Sequence, residues 1–243
     1  MKKIIKRVAY IIFGNAYNSV LRRYNFLMTK FKSGYFGYNN LDKELEKYVD
    51  YNNGFFVELG ANDGITQSNS LYFEMKRGWN GVLVEPSPNN YFACRENRSA
   101  KNNFFCNACV GFQYKEKYVD LRYANLSTIS DNLELDIIDK DKHIEDAIQH
   151  LDKKENVINF GALAKTLTDI LIESKAPELI DFMSLDVEGA ELEVLKGINF
   201  EKYNFKYILI EVRNFDRINN FLKEYNYSHV KKFSGYNHLF KFN

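Results

Sequence analysis

Three short runs in this chain place glycines and carboxylates where apolar strands give way to turns. In Phe56-Val57-Glu58-Leu59-Gly60-Ala61-Asn62-Asp63-Gly64, an apolar run enters a tight turn that holds two glycines. Glycine removes the side chain, so backbone amides and the next helix N-terminus can approach a ligand closely. The spacing is not the GxGxxG that cradles a dinucleotide, and the turn itself carries Asp63. Acids here repel a diphosphate and attract a ligand that bears an ammonium and a sulfonium.

The second run, Val82-Leu83-Val84-Glu85-Pro86, ends in an acid 25 residues after Gly60. An α/β nucleotide site puts a carboxylate at that place to accept both hydrogen bonds of a ribose diol. Taken alone, Glu85 also reads as a solvated strand-end residue. In the third run, Phe182-Met183-Ser184-Leu185-Asp186-Val187-Glu188-Gly189-Ala190-Glu191, a strand ends in two carboxylates ahead of a helix, and Ile208-Leu209-Ile210-Glu211 repeats the arrangement. Several acids at one sheet edge can orient a cationic cofactor, deprotonate a hydroxyl or hold a divalent ion. Glu191 reads instead as a helix cap or ion-pair partner. His143 and His238 are reserve bases, although a surface or packing role suits each of them better. Cys106 and Cys109 form a CxxC without a second such pair or a nearby histidine pair, so they read as buried strand thiols.

The elements that must position these residues follow from periodicity. Apolar runs predict strands at Phe55–Leu59, Gly81–Val84, Phe104–Val110, Ile180–Leu185 and Tyr207–Glu211. Helical spacing and caps predict helices at Leu41–Val49, Leu71–Lys76, Pro88–Asn97, Thr166–Ser174, Ala190–Lys196 and Asp216–Tyr225. Such an alternation makes a parallel sheet covered on both faces. Tyr227–Phe233 and His238–Phe242, separated by a short turn, predict an antiparallel hairpin at the sheet edge. Residues 112–160 break the rhythm, with a polar stretch at Tyr123–Asn132 and a charged helical segment around Leu135–Leu151. An excursion of this size reads as a lid or acceptor-binding region.

The chain has 243 residues, 45% of them hydrophobic and 27% charged, which excludes disorder and is the length of one ordinary domain. Its net charge of +1 conceals an asymmetry. Residues 1–33 carry eight basic side chains and no acid, which leaves 25 basic against 32 acidic residues and a net −7 beyond them. Ile4, Ile5, Val8, Ile11, Ile12, Leu21, Phe26 and Leu27 recur at helical spacing within that basic segment. Residues 1–50 therefore read as a helical arm and 51–243 as the catalytic domain. The arm suits packing on its own domain, peripheral contact with an anionic membrane, or, less well, a signal peptide. Three cysteines, an odd number, favour free thiols in a reducing, cytoplasmic compartment.

The runs VELGANDGITQSN (Val57 to Asn69), GWNGVLVEPSP (Gly78 to Pro88) and DFMSLDVEGAELEVLKG (Asp181 to Gly197) resemble the FkbM family of S-adenosylmethionine-dependent methyltransferases. The resemblance implies a Rossmann-like class I methyltransferase fold, and a hydroxyl of a carbohydrate, surface polysaccharide or glycolipid precursor, or related natural product, as acceptor. By position, Glu58, Gly60, Ala61, Asn62, Asp63 and Gly64 would surround the methionine end of the cofactor, with Ser68 and Asn69 behind them. Glu85, followed by Pro86, would hold the ribose, and Asn107 and Ala108 would lie near the adenine. Asp186 would stand at the interface between cofactor and acceptor, with Glu188 and Glu211 beside it; a sugar hydroxyl needs its proton removed, and Asp186, alone or with a divalent metal, is the expected catalytic base. A dinucleotide-dependent sugar-modifying enzyme and a non-catalytic cofactor-binding module acting through the basic arm are the alternatives. A nucleic-acid partner is not expected of a net-acidic body.

Overall fold

A computed structural model describes residues 34–137, 139–149, 156–233 and 235–243. The basic segment 1–33 lies outside them. The first strands form where expected: β1 (Phe55–Leu59), β2 (Asn80–Val84) and the short β3 (Asn103–Phe105). A second group, β4 (Ala108–Cys109), β5 (Tyr118–Tyr123), β6 (Ile129–Ser130) and β7 (Ile158–Lys165), occupies the middle of the chain. The last four are β8 (Leu179–Leu185), β9 (Asn204–Glu211), β10 (Tyr227–Lys232) and β11 (Asn237–Phe242).

The main sheet has seven strands in the order β10-β11-β9-β8-β1-β2-β3. All run parallel except β11, which is antiparallel to both of its neighbours. The hairpin is thus formed as read, but its second strand, not its first, is inserted next to β9. A dinucleotide-binding sheet runs 3-2-1-4-5-6, so the inserted β11 separates this fold from that alternative. The chain builds outward from β1 to β3 and then returns to β8, which makes the β1/β8 junction the switch point where open α/β sheets bind ligands.

Alternation along the strands sends side chains to two cores. Phe56, Phe182, Leu209 and Leu239 face α1 (Leu41–Leu45), α2 (Leu71–Arg77) and Cys94 of α3 (Pro88–Asn97). The opposite face buries Val57, Met183, Ile208 and Phe240. Beyond α4 (Lys140–Ile148), helices α5 (Leu167–Glu173), α6 (Glu191–Leu195) and α7 (Phe215–Glu224) cover that second face. Local chemistry sets their ends. Gly78 terminates α2 at φ 69°, where a residue with a Cβ is strained, and the side chains of Asp139, Thr166 and Asn214 cap α4, α5 and α7.

Three expectations need correction. The run Phe104–Val110 is not one strand: β3 stays in the main sheet, whereas β4 leaves it and pairs with β7. The crossing is held by Asn107, whose side-chain amide donates to the Leu163 carbonyl, and by Val110 N–H on Lys165 O. The 112–160 excursion contributes β5, β6 and the start of β7 to a second, four-stranded sheet in the order β4-β7-β5-β6, and its helical stretch among the described residues is the shorter α4. Finally, the boundary at residue 50 cuts through a core, because Leu41, Leu45 and Val49 are buried against Phe56, Phe73 and Trp79. Residues from Tyr35 onward therefore belong to the domain. Leu45→Ala should cost about 2–5 kcal/mol in urea unfolding, the penalty of a core cavity, whereas an appended arm would give no change in the domain's transition.

Candidate functional site

A cavity opens at the carboxyl edge of β1, β2 and β8, enclosing about 1030 Å³ when its solvent-open part is included. Twelve of the residues singled out in the sequence line it: Glu58, Gly60, Ala61, Asn62, Ser68, Asn69, Glu85, Pro86, Asn107, Ala108, Asp186 and Glu188. Asp63, Gly64 and Glu211 do not. Asp63 instead accepts N–H bonds from Ile65 and Thr66, which shapes the turn from within. Val119, Leu121 and Ser130 of the inserted sheet, with Asn125, Leu126 and Thr128 of the turn between β5 and β6, complete the wall. No sequence signal marks them, because only the fold brings that sheet over the edge.

Gly60 sits at φ 77°, and a Cβ there would lie 1.9 Å from the Asp186 carbonyl oxygen. Only glycine allows this approach of the β1 turn to the end of β8. The turn is fixed on its other side by Gly60 and Ala61 N–H groups, which both donate to Val84 O. Glu85, buried at the end of β2, accepts the Asn62 N–H at 2.9 Å and the Ser87 N–H at 2.9 Å. Burial pushes its carboxyl up to about 7 despite these two bonds. The Asn62 side chain in turn donates to Asn125 Oδ1 at 3.1 Å, linking the turn to the inserted sheet.

The acid edge is a second centre. Oxygens of Asp186, Glu188 and Glu211 lie within 4.8 Å of one another, a set of hard donors able to hold a divalent ion. Asp186 is open to the cavity but enclosed by protein on its other sides. That enclosure, followed by the Glu211 and Glu188 carboxylates, raises its carboxyl well above the usual range. Glu188 is held at φ 53°, in the left-handed region, and one of its oxygens meets Arg213 Nη2 at 2.8 Å and His143 Nε2 at 3.2 Å. Arg213 also reaches Glu211 at 3.5 Å. Of the two reserve bases, then, His143 stands at the acid edge. His238 lies against His229 at 3.1 Å and Phe215, where burial pushes it down to about 4. The thiols of Cys106 and Cys109 are unpaired, and burial pushes Cys109 up to about 12.

Glu191 behaves as a loop anchor, since one of its oxygens accepts the Val187 and Gly189 N–H groups. Burial pushes its carboxyl up to about 7 from an ordinary 4.5. Protonation thus favours the folded state: the linked stability is complete below about 4.5 and is lost as the pH rises through about 7. Glu191→Gln keeps an acceptor oxygen and cannot ionise. It should match the wild type in urea unfolding at low pH and exceed it by a few kcal/mol at pH ~8, and a pH-independent difference would contradict this account.

The family model described as the methyltransferase FkbM domain matches residues 58–228. Methyltransferase sdnD of Sordaria araneosa is 29% identical over 165 residues, which cover 62% of this chain and 62% of that protein. Among solved structures, the human methyltransferase 10 domain containing protein is similar at 10% identity, with 84% of this chain and 80% of that one covered and a TM-score of 0.40. With its seven-stranded sheet, inserted antiparallel strand and matching family model, the chain belongs to the FkbM methyltransferase family.

Proposed function

We propose that the chain transfers a methyl group from S-adenosylmethionine to a hydroxyl of a carbohydrate, such as a surface-polysaccharide or glycolipid precursor, or of a related natural product. The observation that carries this reading is the placement of a glycine turn, a buried strand-end carboxylate and an acid edge around one cavity. The donor set fits the cofactor. Glu85 has two of its roughly four acceptor sites taken by N–H groups, which leaves capacity for a ribose diol. The excess of carboxylates suits a cationic ligand and leaves no cradle for a diphosphate.

The cofactor supplies an electrophilic methyl group on a sulfonium. The protein's contribution is to orient the acceptor and to take its proton. Asp186, opening on the cavity with a raised carboxyl, is the base: a carboxylate of higher proton affinity draws a hydroxyl proton more strongly. Glu188, which lines the cavity, holds a neighbouring hydroxyl of the acceptor, and Glu211 stands behind Asp186, where the three carboxylates could share a divalent ion that would acidify the reacting hydroxyl. The insertion bears on acceptor choice, because Leu126 and Thr128 of its turn between β5 and β6 line the wall. The basic residues of 1–33 suit an acceptor carried at an anionic membrane on the cytoplasmic side. No helix among the described residues is long and apolar enough to cross a membrane.

Titration calorimetry should find S-adenosylhomocysteine bound by the wild type and more weakly by Glu85→Ala. Binding of NAD in its place would overturn the cofactor assignment. With radiolabelled S-adenosylmethionine and a panel of methyl glycosides and glycolipid extracts, Asp186→Asn should lower kcat about 10²–10⁴-fold while keeping affinity for S-adenosylhomocysteine. Full turnover by that variant removes Asp186 as the base, and methyl transfer to none of the sugars removes the carbohydrate reading. The full chain should co-sediment with phosphatidylglycerol vesicles and not with phosphatidylcholine ones, and should lose this on deletion of residues 1–33.

A further inference from the structure

One buried cation has no part in the site as described so far. Arg98, the residue following α3, has a fully buried side chain. Its Nη1 lies 3.1 Å from Glu58 Oε2, 3.2 Å from the Gly64 carbonyl and 3.2 Å from Ser68 Oγ. Nη2 donates to Ser70 Oγ at 2.8 Å, and Nε to Glu74 Oε2 at 2.9 Å. The guanidinium also stacks over the Phe56 ring at 5.2 Å. Its neighbour Asn97 donates to the Asp63 carbonyl at 2.8 Å, so two consecutive residues grip consecutive carbonyls of the turn.

This grip accounts for two residues that otherwise fit the cavity poorly. Gly64 does not line it, yet it sits at φ 76°, and a Cβ there would lie 2.8 Å from Arg98 Cγ and 2.9 Å from Cys94 Sγ. The second glycine of the turn thus makes room for Arg98 and for Cys94 of α3. Glu58 is also occupied. Its carboxylate accepts from Ser68 Oγ, Ser70 Oγ, the Asn69 N–H and Arg98. With its oxygens filled by these donors, Glu58 acts on the cavity through the segment it holds. That segment carries Ser68 and Asn69, which line the wall, and Asn69 is fixed on its far side by donating to Ser184 Oγ on β8 at 3.0 Å.

We propose that Arg98 is the positioning residue of the cofactor wall, holding Gly64 to Ser70 in the shape that receives the amino-acid end of S-adenosylmethionine. The inference rests on the cofactor reading above and assigns Arg98 no contact with the ligand. Two carboxylates, Glu58 and Glu74, share one guanidinium, so the network keeps one formal negative charge behind the wall. That charge is of the sign that favours an ammonium group on the cavity side. A lysine cannot substitute, because one ammonium with three donors cannot span acceptors on both sides of a planar fork.

The test separates positioning from stability. Arg98→Met leaves two buried carboxylates unpaired, which destabilises the fold for reasons unrelated to ligand. Arg98→Met/Glu58→Gln removes one of those charges and should recover part of the melting temperature. Leu222→Ala, in the core beneath α7, is a control that lowers melting temperature away from the cavity. Calorimetry with S-adenosylhomocysteine is expected to show affinity reduced about tenfold or more in both Arg98 variants, and within about twofold of wild type in Leu222→Ala. If Arg98→Met does not fold, the double variant decides. Wild-type affinity in an Arg98 variant, or affinity that returns in step with melting temperature in the double variant, overturns the role of Arg98. A wild type that does not bind S-adenosylhomocysteine overturns the cofactor reading instead.

Discussion

The site depends on a backbone contact. The turn after β1 and the end of β8 approach so closely that a Cβ on Gly60 would be 1.9 Å from the Asp186 carbonyl oxygen. Because Leu59 and Leu185 are register partners on adjacent parallel strands, the two turns leave the sheet side by side at its switch point. One turn curls toward β2 and Glu85, and the other carries Asp186 and Glu188. The cavity is the space between these diverging turns, and a side chain at residue 60 would force them apart.

Around this junction, carboxylates of the same type take on different chemistry through their surroundings. Glu58 is paired with a guanidinium and hydroxyls, so its oxygens are taken up within the protein. Glu85 and Glu191 are buried with backbone N–H partners only, and their carboxyls rise to about 7. Asp186 faces like charges and open space, the one arrangement of the four that leaves a carboxylate available to a substrate proton.

The inserted sheet turns an open edge into an enclosed site. The insertion as a whole is tied to the main domain by Asn62 to Asn125 and by Arg217 to Asp136 at 2.8 Å, and it brings His143 Nε2 to 3.2 Å from Glu188. Ile137 packs where a Cβ on Gly189 would stand, so the acid loop and the insertion fit only with glycine at that position, which has φ 94°. These contacts end on residues of the turn after β1, of the acid loop or of α7. The insertion is therefore part of the site's geometry, and it supplies one wall of the cavity.

The sequence alone determined the strands at the heart of the sheet, the helices capped by Pro88, Thr166 and Gly78, and the acids at the strand ends. These features are local: an apolar run buried on both faces, a cap and a turn glycine each act within a few residues. It did not reveal that Phe104–Val110 divides between two sheets, because a single polar residue, Asn107, within an apolar run is as compatible with one strand as with a crossing. Nor did it reveal β5 and β7, where one buried face alternates with Asp120 and Arg122 in the first and Gly161 interrupts the second. Arg98 and His143 were decided only by tertiary structure. A buried guanidinium 40 residues from its carboxylate, or a histidine on an inserted helix, has no local pattern, since the partners that give each its role meet only once the chain has folded.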